Sequence, residues 1–504
     1  VVLEHRSLAS LGIYAYPYWG WWGLRRVCGA DAAENRSIQS RPRSAMAQPA
    51  VDPSGQHRLV DLIVAGGIVV TMDPQRRVIG EGAVAIQAGR IVAVGPRGEV
   101  EAAYVGAERI DAAGRALIPG LINGHAHLPM TLFRGLADDE DLDDWLQHTI
   151  FPAEAMNVDE AFVRSGTRLG LAELIRGGVT TVCDMYYFEH AVAEELAAAG
   201  LRGLLGQVLI DFPSPDCADH TAAMAAIERF VSHWQGHPLI TPAIAPHAPY
   251  TVGDGHLIEA RAFADQHRCP FVIHLAETRH ELEESLRLKG ARPVEHLAAL
   301  GVLGERMVAA HVVWAELHEL DLLRDHGVGV VHNPQSNMKL ASGVAPLPAM
   351  LTLDLAVGLG TDGSASNNDL SLWEEIDTAA KLHKLITADP KVVSAQEAFE
   401  LATIRGARAL HLEGAIGSLE VGKRADLVVI DLEAINQIPL SSIYSALVYA
   451  TKASDVRTVL VEGRVLLRDR QLLTLDEPAI EAEALAYRHR IIERLGIGLS
   501  ATGS

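Results

Sequence analysis

The sequence predicts an α/β fold: a (β/α)8 TIM-like barrel with a small β-sandwich domain built from both N-terminal and C-terminal segments. Three observations predict it. Eight apolar β-type runs, at 116–122, 179–185, 204–210, 239–245, 271–275, 307–311, 328–331 and 356–360, are mostly separated by stretches of helical periodicity such as 159–176. Short β-type runs broken by Gly, Asp-Pro and Gly-Arg turns flank that series on both sides. Finally, several of the eight runs end in histidines or carboxylates, the position where barrels carry their chemistry.

Taken in order, residues 1–56 read as a tail from their Ser, Arg, Pro and Ala content. Pro17 and Gly20 interrupt the aromatic stretch 14–22, and Arg25 and Arg26 follow it, the reverse of a secretion signal; the expectation is either a disordered extension or a mis-set start with translation beginning at Met46. Residues 57–117 carry the runs Leu62-Ile-Val-Ala, Gly67-Ile-Val-Val-Thr71, Ala83-Val-Ala-Ile86 and Ile91-Val-Ala-Val94, which read as antiparallel sheet. The same texture returns at 425–431 and 456–465. Neither half has strands enough to close a sandwich, so the two halves are expected to pair. The division expected is therefore sandwich over 57–117 and 413–475, barrel over 118–412, and a helix and tail over 476–504. An amphipathic pattern at 480–495 would pack on the barrel or on a neighbouring copy. An open nucleotide-binding sheet has no support, because no Gly-x-Gly-x-x-Gly follows an early strand.

Composition narrows the partners. The chain has 504 residues, 49% of them hydrophobic, and a formal charge of −21, so nothing favours a nucleic acid polymer. No run of eighteen apolar residues suggests a membrane span. Cys28, Cys183, Cys217 and Cys269 are scattered without a Cys-x-x-Cys pair, which fits free thiols and a cytoplasmic location.

His125 and His127 end the first run at a spacing of two, so both imidazoles can lie on one face of a strand end. Two nitrogens converging there make half a site for a borderline metal. His247 follows the fourth run, His274 and Glu277 end the fifth, His311 the sixth and Asp362 the eighth. Each alone has a bland explanation, such as a helix N-cap for Asp362. A closed barrel would aim all of them into one pocket, which stability alone does not ask for.

These residues sit in specific motifs: Pro119-Gly-Leu-Ile-Asn-Gly-His-Ala-His127, His274-Leu-Ala-Glu-Thr278, His332-Asn-Pro334 with Ser336-Asn-Met-Lys-Leu340, and Gly360-Thr-Asp-Gly363 with Ser366-Asn-Asn368. Over about 59–472 the chain resembles the amidohydrolase superfamily, and within it the S-adenosylhomocysteine/5′-methylthioadenosine deaminase group. The resemblance implies that His125, His127, His274 and Asp362 bind one divalent metal, zinc first, with Fe2+ or Mn2+ suited to the same ligands. It implies catalytic roles for Glu277, His311 and Asp362: Glu277 protonates a purine ring nitrogen, Asp362 accepts a proton from water, and His311 orients that water or polarises the leaving group. Trp145 would wall the substrate pocket, Glu154 would bind the ribose hydroxyls, and His247 and Glu277 would contact the purine.

A purine nucleoside is thus the expected small-molecule partner, and oligomers are common in the group. The first lysine of the chain is Lys289, so no lysine of the fourth strand can bridge two metals. The His-x-Glu and Pro-Cys-x-x-Cys signature of cytidine-type deaminases is missing. Gln207 stands where carboxylate-binding members carry an arginine, so 5′-methylthioadenosine or adenosine is expected to surpass S-adenosylhomocysteine. Hydrolysis of another amino- or chloro-substituted ring (an s-triazine, guanine or 8-oxoguanine), an open-chain amide or cyclic ureide hydrolase, and a metal-free scaffold are the alternatives.

Overall fold

The computed structural model describes residues 57–136, 138, 139, 142 and 145–496. The expected tail over 1–56, with Met46 and Cys28, lies outside the described residues, as do Asp143 and Asp144 and the final eight positions, 497–504.

Five strands open the fold: β1 (Arg58–Val70), β2 (Val78–Gln87), β3 (Arg90–Pro96), β4 (Tyr104–Asp111) and β5 (Arg115–Pro119). Eight more form the barrel: β6 (Leu121–Ala126), β7 (Val179–Tyr186), β8 (Arg202–Leu209), β9 (Ile240–Pro246), β10 (Phe271–Leu275), β11 (Met307–His311), β12 (Gly329–His332) and β13 (Val357–Leu359). The chain then returns as β14 (Leu427–Asp431), β15 (Val456–Val461), β16 (Arg464–Arg468) and β17 (Gln471–Leu472).

The two ends of the chain share one nine-stranded sheet. β5 pairs antiparallel with β14 from Pro119↔Leu427 to Arg115↔Asp431, so the segment entering the barrel lies beside the segment leaving it. Leu62, Val84, Ile86, Leu117, Leu427 and Leu460, drawn from both ends, bury one apolar core. The sheet curls back on itself where the Ile91 amide donates to Lys423 O and the Ala425 amide to Gly89 O, at 3.0 and 2.9 Å.

Three expectations are corrected here. The sheet is mixed rather than antiparallel, because β1 runs parallel to both β4 and β5. The runs 62–65 and 67–71 belong to one strand, bulged between Ala65 and Gly67. The run 116–122 is divided at Gly120, with β5 in the mixed sheet and β6 in the barrel. Gly120 is required at that switch, since a Cβ there would lie 2.0 Å from Thr180 Oγ1.

All eight barrel strands are parallel neighbours in the order β6 to β13. β7 and β8 are buried at every position, as strands covered on both faces must be. Helices such as Glu160–Arg176, capped by the Asp159 carboxylate accepting from the Phe162 amide at 2.8 Å, cover the outside. Where β13 meets β6 the pairing shrinks to a single bridge, Ala126↔Asp362, with the Asp362 amide donating to His125 O at 2.9 Å. Gly360 permits that approach: a Cβ would come within 2.7 Å of the His125 amide nitrogen.

The helix Glu477–Leu495 packs on the barrel. Tyr487 meets Phe162 with ring centroids 5.5 Å apart, and Ser165 donates to Glu483 at 2.6 Å. Cys183, Cys217 and Cys269 are free and buried. Among the described residues no helix is long and apolar enough to cross a membrane.

Arg202 of β8 joins the barrel to the mixed sheet. Its guanidinium donates to Asp426 at 2.9 and 3.3 Å and to Glu462 at 3.2 Å, with 8% of its side chain exposed. Removing one member strands a buried charge, so Arg202→Ala is expected to lower unfolding stability by about 3–5 kcal/mol, read from urea midpoints. A loss below about 1 kcal/mol, the scale of a solvated surface pair, would contradict this.

Candidate active site

His125 lies in β6 and His127 just beyond it; His274 lies in β10, His311 ends β11, and Asp362 follows β13. His127 Nε2 is 3.2 Å from Asp362 Oδ1 and 3.3 Å from His274 Nε2, and His125 Nε2 is 3.4 Å from the same Oδ1. A tetrahedral ion with bonds of about 2.0–2.1 Å spaces its ligand atoms about 3.3–3.4 Å apart, so these separations suit one cation. His125, His274, His311 and Asp362 also offer ligand atoms within 4.8 Å of one another, so His311 stands close enough to share in the binding.

Unpartnered atoms point the same way. Among the described residues, neither ring nitrogen of His125 nor Nε2 of His311 has a hydrogen-bond partner, although both residues are buried. Such atoms are costly unless something satisfies them. The other converging side chains are braced from behind. Nδ1 of His127 bonds Met185 O and Nδ1 of His274 bonds His247 O, both at 2.7 Å, which turns each Nε2 toward the centre. Asp362 Oδ2 accepts from Ser336 Oγ at 2.6 Å and Ser366 Oγ at 2.8 Å. Three imidazoles and one carboxylate, all but His125 held by hydrogen bonds from behind, fit a divalent metal.

Burial pushes His125 down to about 4, against the attraction of the nearby Asp362 carboxylate, and pushes His274 well below the usual imidazole range. Both therefore stay neutral, the form in which an imidazole can bind a metal. Burial opposes charge on His127 as well, but its pairing with Asp362 outweighs burial and raises it to about 9. For Asp362 burial is likewise overridden, by the His125 and His127 imidazoles beside it, and its carboxyl is held well below the ordinary range. Glu277 is raised, chiefly by burial, with His311 opposing.

Glu277 Oε2 lies 3.6 Å from His311 Nε2. Its loop is fixed by Glu281, which accepts from the amides of Ala276 and Glu277 at 2.9 and 2.8 Å. Nδ1 of His311 bonds Asn337 Oδ1 at 2.9 Å. His311 and Asp362 both have left-handed backbone, at φ 72° and 63°, the kind of local strain that collects at functional sites.

These residues floor a cleft that opens to solvent. Trp145, Glu154 and His247 all line it, alongside Glu277, His311, His274, His127 and Asp362. Glu154 does not cap its own helix, Phe151–Asn157; its Oε1 accepts from Tyr186 Oη at 2.6 Å, and burial raises its carboxyl to about 7. Burial lowers His247 to about 3. Gln207 is absent from the cleft lining among the described residues: its Oε1 accepts from the Glu189 amide and its Nε2 donates to Asp216.

Sequence reasoning did not single out Ser336, Ser366, Asn337 or Tyr186. The first three lie inside motifs that drew attention only for their neighbours. Tyr186 ends β7 at the same rim as the ligands, a position that could have marked it.

Residues 116–466 match the amidohydrolase family. The chain belongs to that family. This amidohydrolase is 47% identical over 433 residues to a 5-methylthioadenosine/S-adenosylhomocysteine deaminase of Syntrophobacter fumaroxidans, covering 86% of this chain and 98% of that protein. It is 39% identical over 439 residues to a 5′-deoxyadenosine deaminase of Methanosarcina mazei, covering 87% of this chain and 100% of the relative. Among solved structures, an adenosine deaminase from Xanthomonas campestris with bound zinc superposes with a TM-score of 0.86 at 40% identity, over 87% of this amidohydrolase and 100% of the other chain. β9 contains no lysine, cysteine or carboxylate, so this amidohydrolase has no bridging side chain on that strand.

Proposed function

We propose that the protein is a metal-dependent hydrolytic deaminase that converts an adenine nucleoside and water to the inosine analogue and ammonia. The observation that carries this reading is the convergence of His125, His127, His274 and Asp362, with ligand atoms 3.2–3.4 Å apart along the chain His125–Asp362–His127–His274 and with Glu277 and His311 adjoining. The likeness to enzymes named as deaminases of such nucleosides supports it. A divalent ion held by those four residues, zinc for preference, supplies Lewis-acid chemistry that makes water nucleophilic at neutral pH.

The protein's own groups divide the remaining work. Glu277, whose carboxyl burial raises toward the protonated form, is the group that delivers a proton to the ring nitrogen next to the amino-bearing carbon, which makes that carbon electrophilic. Asp362, kept ionised, accepts a proton from the attacking water. Nδ1–H of His311 donates to Asn337 Oδ1, leaving Nε2 to accept from that water and orient it. A second proton transfer releases ammonia. Trp145 walls the purine, His247 contacts it, and Glu154 accepts both hydroxyls of the ribose, whose hydrogen bonds offset the cost of its buried charge. The buried free cysteines suit a reducing, cytoplasmic setting.

No arginine or lysine lines the cleft among the described residues, whereas Leu142, Leu146, Phe151, Val208 and Tyr250 do. An apolar 5′ substituent is therefore favoured over an amino acid carboxylate. The kcat/KM for 5′-methylthioadenosine or adenosine is expected to exceed that for S-adenosylhomocysteine by about 10–100-fold, the factor one charge-assisted hydrogen bond supplies. A preference for S-adenosylhomocysteine in that comparison would refute the assignment.

The function itself is tested by following ammonia release and absorbance across a panel of purines and nucleosides. Adenine nucleosides are expected to react, with no ammonia from guanine and no chloride from a chlorotriazine. Turnover of guanine or the triazine, with adenine nucleosides inert, would overturn the reading.

A further inference from the structure

A second group of metal-ligating side chains lies outside the cleft. Asp211 follows β8 on the same rim as the active-site residues, His220 opens the helix His220–Trp234, and His256 sits in the first turn of Asp254–His267. One ligand atom from each lies within 4.8 Å of the others. His256 Nδ1 hydrogen-bonds Asp211 Oδ1 at 2.7 Å, a bond a cation would replace, and His220 Nδ1 lies 3.9 Å from the same oxygen. The two imidazoles stack face to face, with centroids 3.5 Å apart and planes inclined by 11°.

The arrangement around the cluster is that of a prepared site. His220 Nε2 bonds Glu259 Oε2 at 3.0 Å, which assigns the ring proton to Nε2 and leaves the Nδ1 lone pair facing Asp211. That Nδ1 atom is buried and has no hydrogen-bond partner among the described residues. Asp211 is fixed by its other oxygen, which accepts from the Gly253 amide at 2.7 Å. Side-chain exposures of 20% for His220 and 40% for His256 leave a cation a path in from solvent. With Glu259 behind, two carboxylates face one dication, so the charges balance.

We propose that Asp211, His220 and His256 form a second, weaker site for a borderline divalent cation such as Zn2+, completed by water. Three protein ligands on an open surface bind less tightly than the buried four-ligand centre, so the site fills only after that centre. A cation there ties the end of β8 to two helix starts and stiffens the intervening segment. Phe212, next to Asp211, rests on Phe151 of the cleft at a centroid distance of 5.5 Å, so the stiffened segment borders the substrate entrance.

The test uses the untagged full-length protein carrying one equivalent of zinc. Zn2+ is titrated into it calorimetrically, and bound zinc is counted after equilibrium dialysis. Wild type is expected to take up a second ion, and the His220→Ala/His256→Ala double variant to lose at least tenfold in affinity for it while keeping its first zinc. That variant is expected to show wild-type turnover at one equivalent, which establishes that it is folded. Asp211→Asn serves as a second variant and is expected to weaken the second ion likewise. Uptake of a single ion by wild type, or an undiminished second ion in the double variant, overturns the proposal. Neither result bears on the deaminase reading, because the first zinc and the turnover are read separately.

Discussion

Replacing Glu277 by Gln is expected to lower kcat by about 10²–10⁴-fold, the range that general acid–base catalysis contributes. The amide has nearly the shape of the acid, and its amide nitrogen and hydrogens can still meet a purine nitrogen, but it has no proton to transfer. The effect should fall on kcat more than on KM, because ring protonation belongs to the chemical step. Burial makes the role feasible by raising the Glu277 carboxyl, while the adjoining Asp362 carboxyl is driven the opposite way. Steady-state kinetics decide the matter, with metal content and melting temperature measured on the same preparation. Turnover at the wild-type rate in a metal-replete, folded Glu277→Gln enzyme would remove Glu277 from the reaction.

The second large effect concerns the metal. Asp362→Asn keeps the size of the side chain but leaves neutral ligands alone around a dication. Metal affinity is expected to fall by more than about 100-fold, beyond the upper end for residues that merely support a ligand, and activity should fall with it. In the wild type, chelation is expected to abolish turnover and added zinc to restore it. Elemental analysis of the purified variant, together with a chelator titration of both proteins, checks this. Full metal occupancy in Asp362→Asn under a chelator that strips the wild type would exclude Asp362 as a ligand.

Much of this was legible in the chain because strand ends are local. A histidine that closes an apolar run, as His311 does, announces its position by sequence alone, and a closed barrel sends such positions to one rim. The pairing of β5 with β14 could be anticipated because each half lacked strands. What escaped notice is what depends on partners across the barrel. Nothing near Met185 reveals that its carbonyl orients His127, and nothing near Ser336 and Ser366 that both hydroxyls serve Asp362. The division at Gly120 was hidden for a related reason. The residues on both sides of it are apolar and extended, and only the close approach of Thr180 distinguishes the two sheets they enter.

The narrow junction between β13 and β6 has a consequence for folding. His125 and His127 come from one bank of that gap and Asp362 from the other, where backbone pairing is reduced to one bridge. Any dication gripped by all three acts as a rivet holding the hoop shut. Metal loading and resistance to unfolding should then rise together, since an ion bound only by the closed ring stabilises that ring by mass action. These three side chains would then fasten the seam between the first and last barrel strands, and a demetallated molecule would lose that fastening.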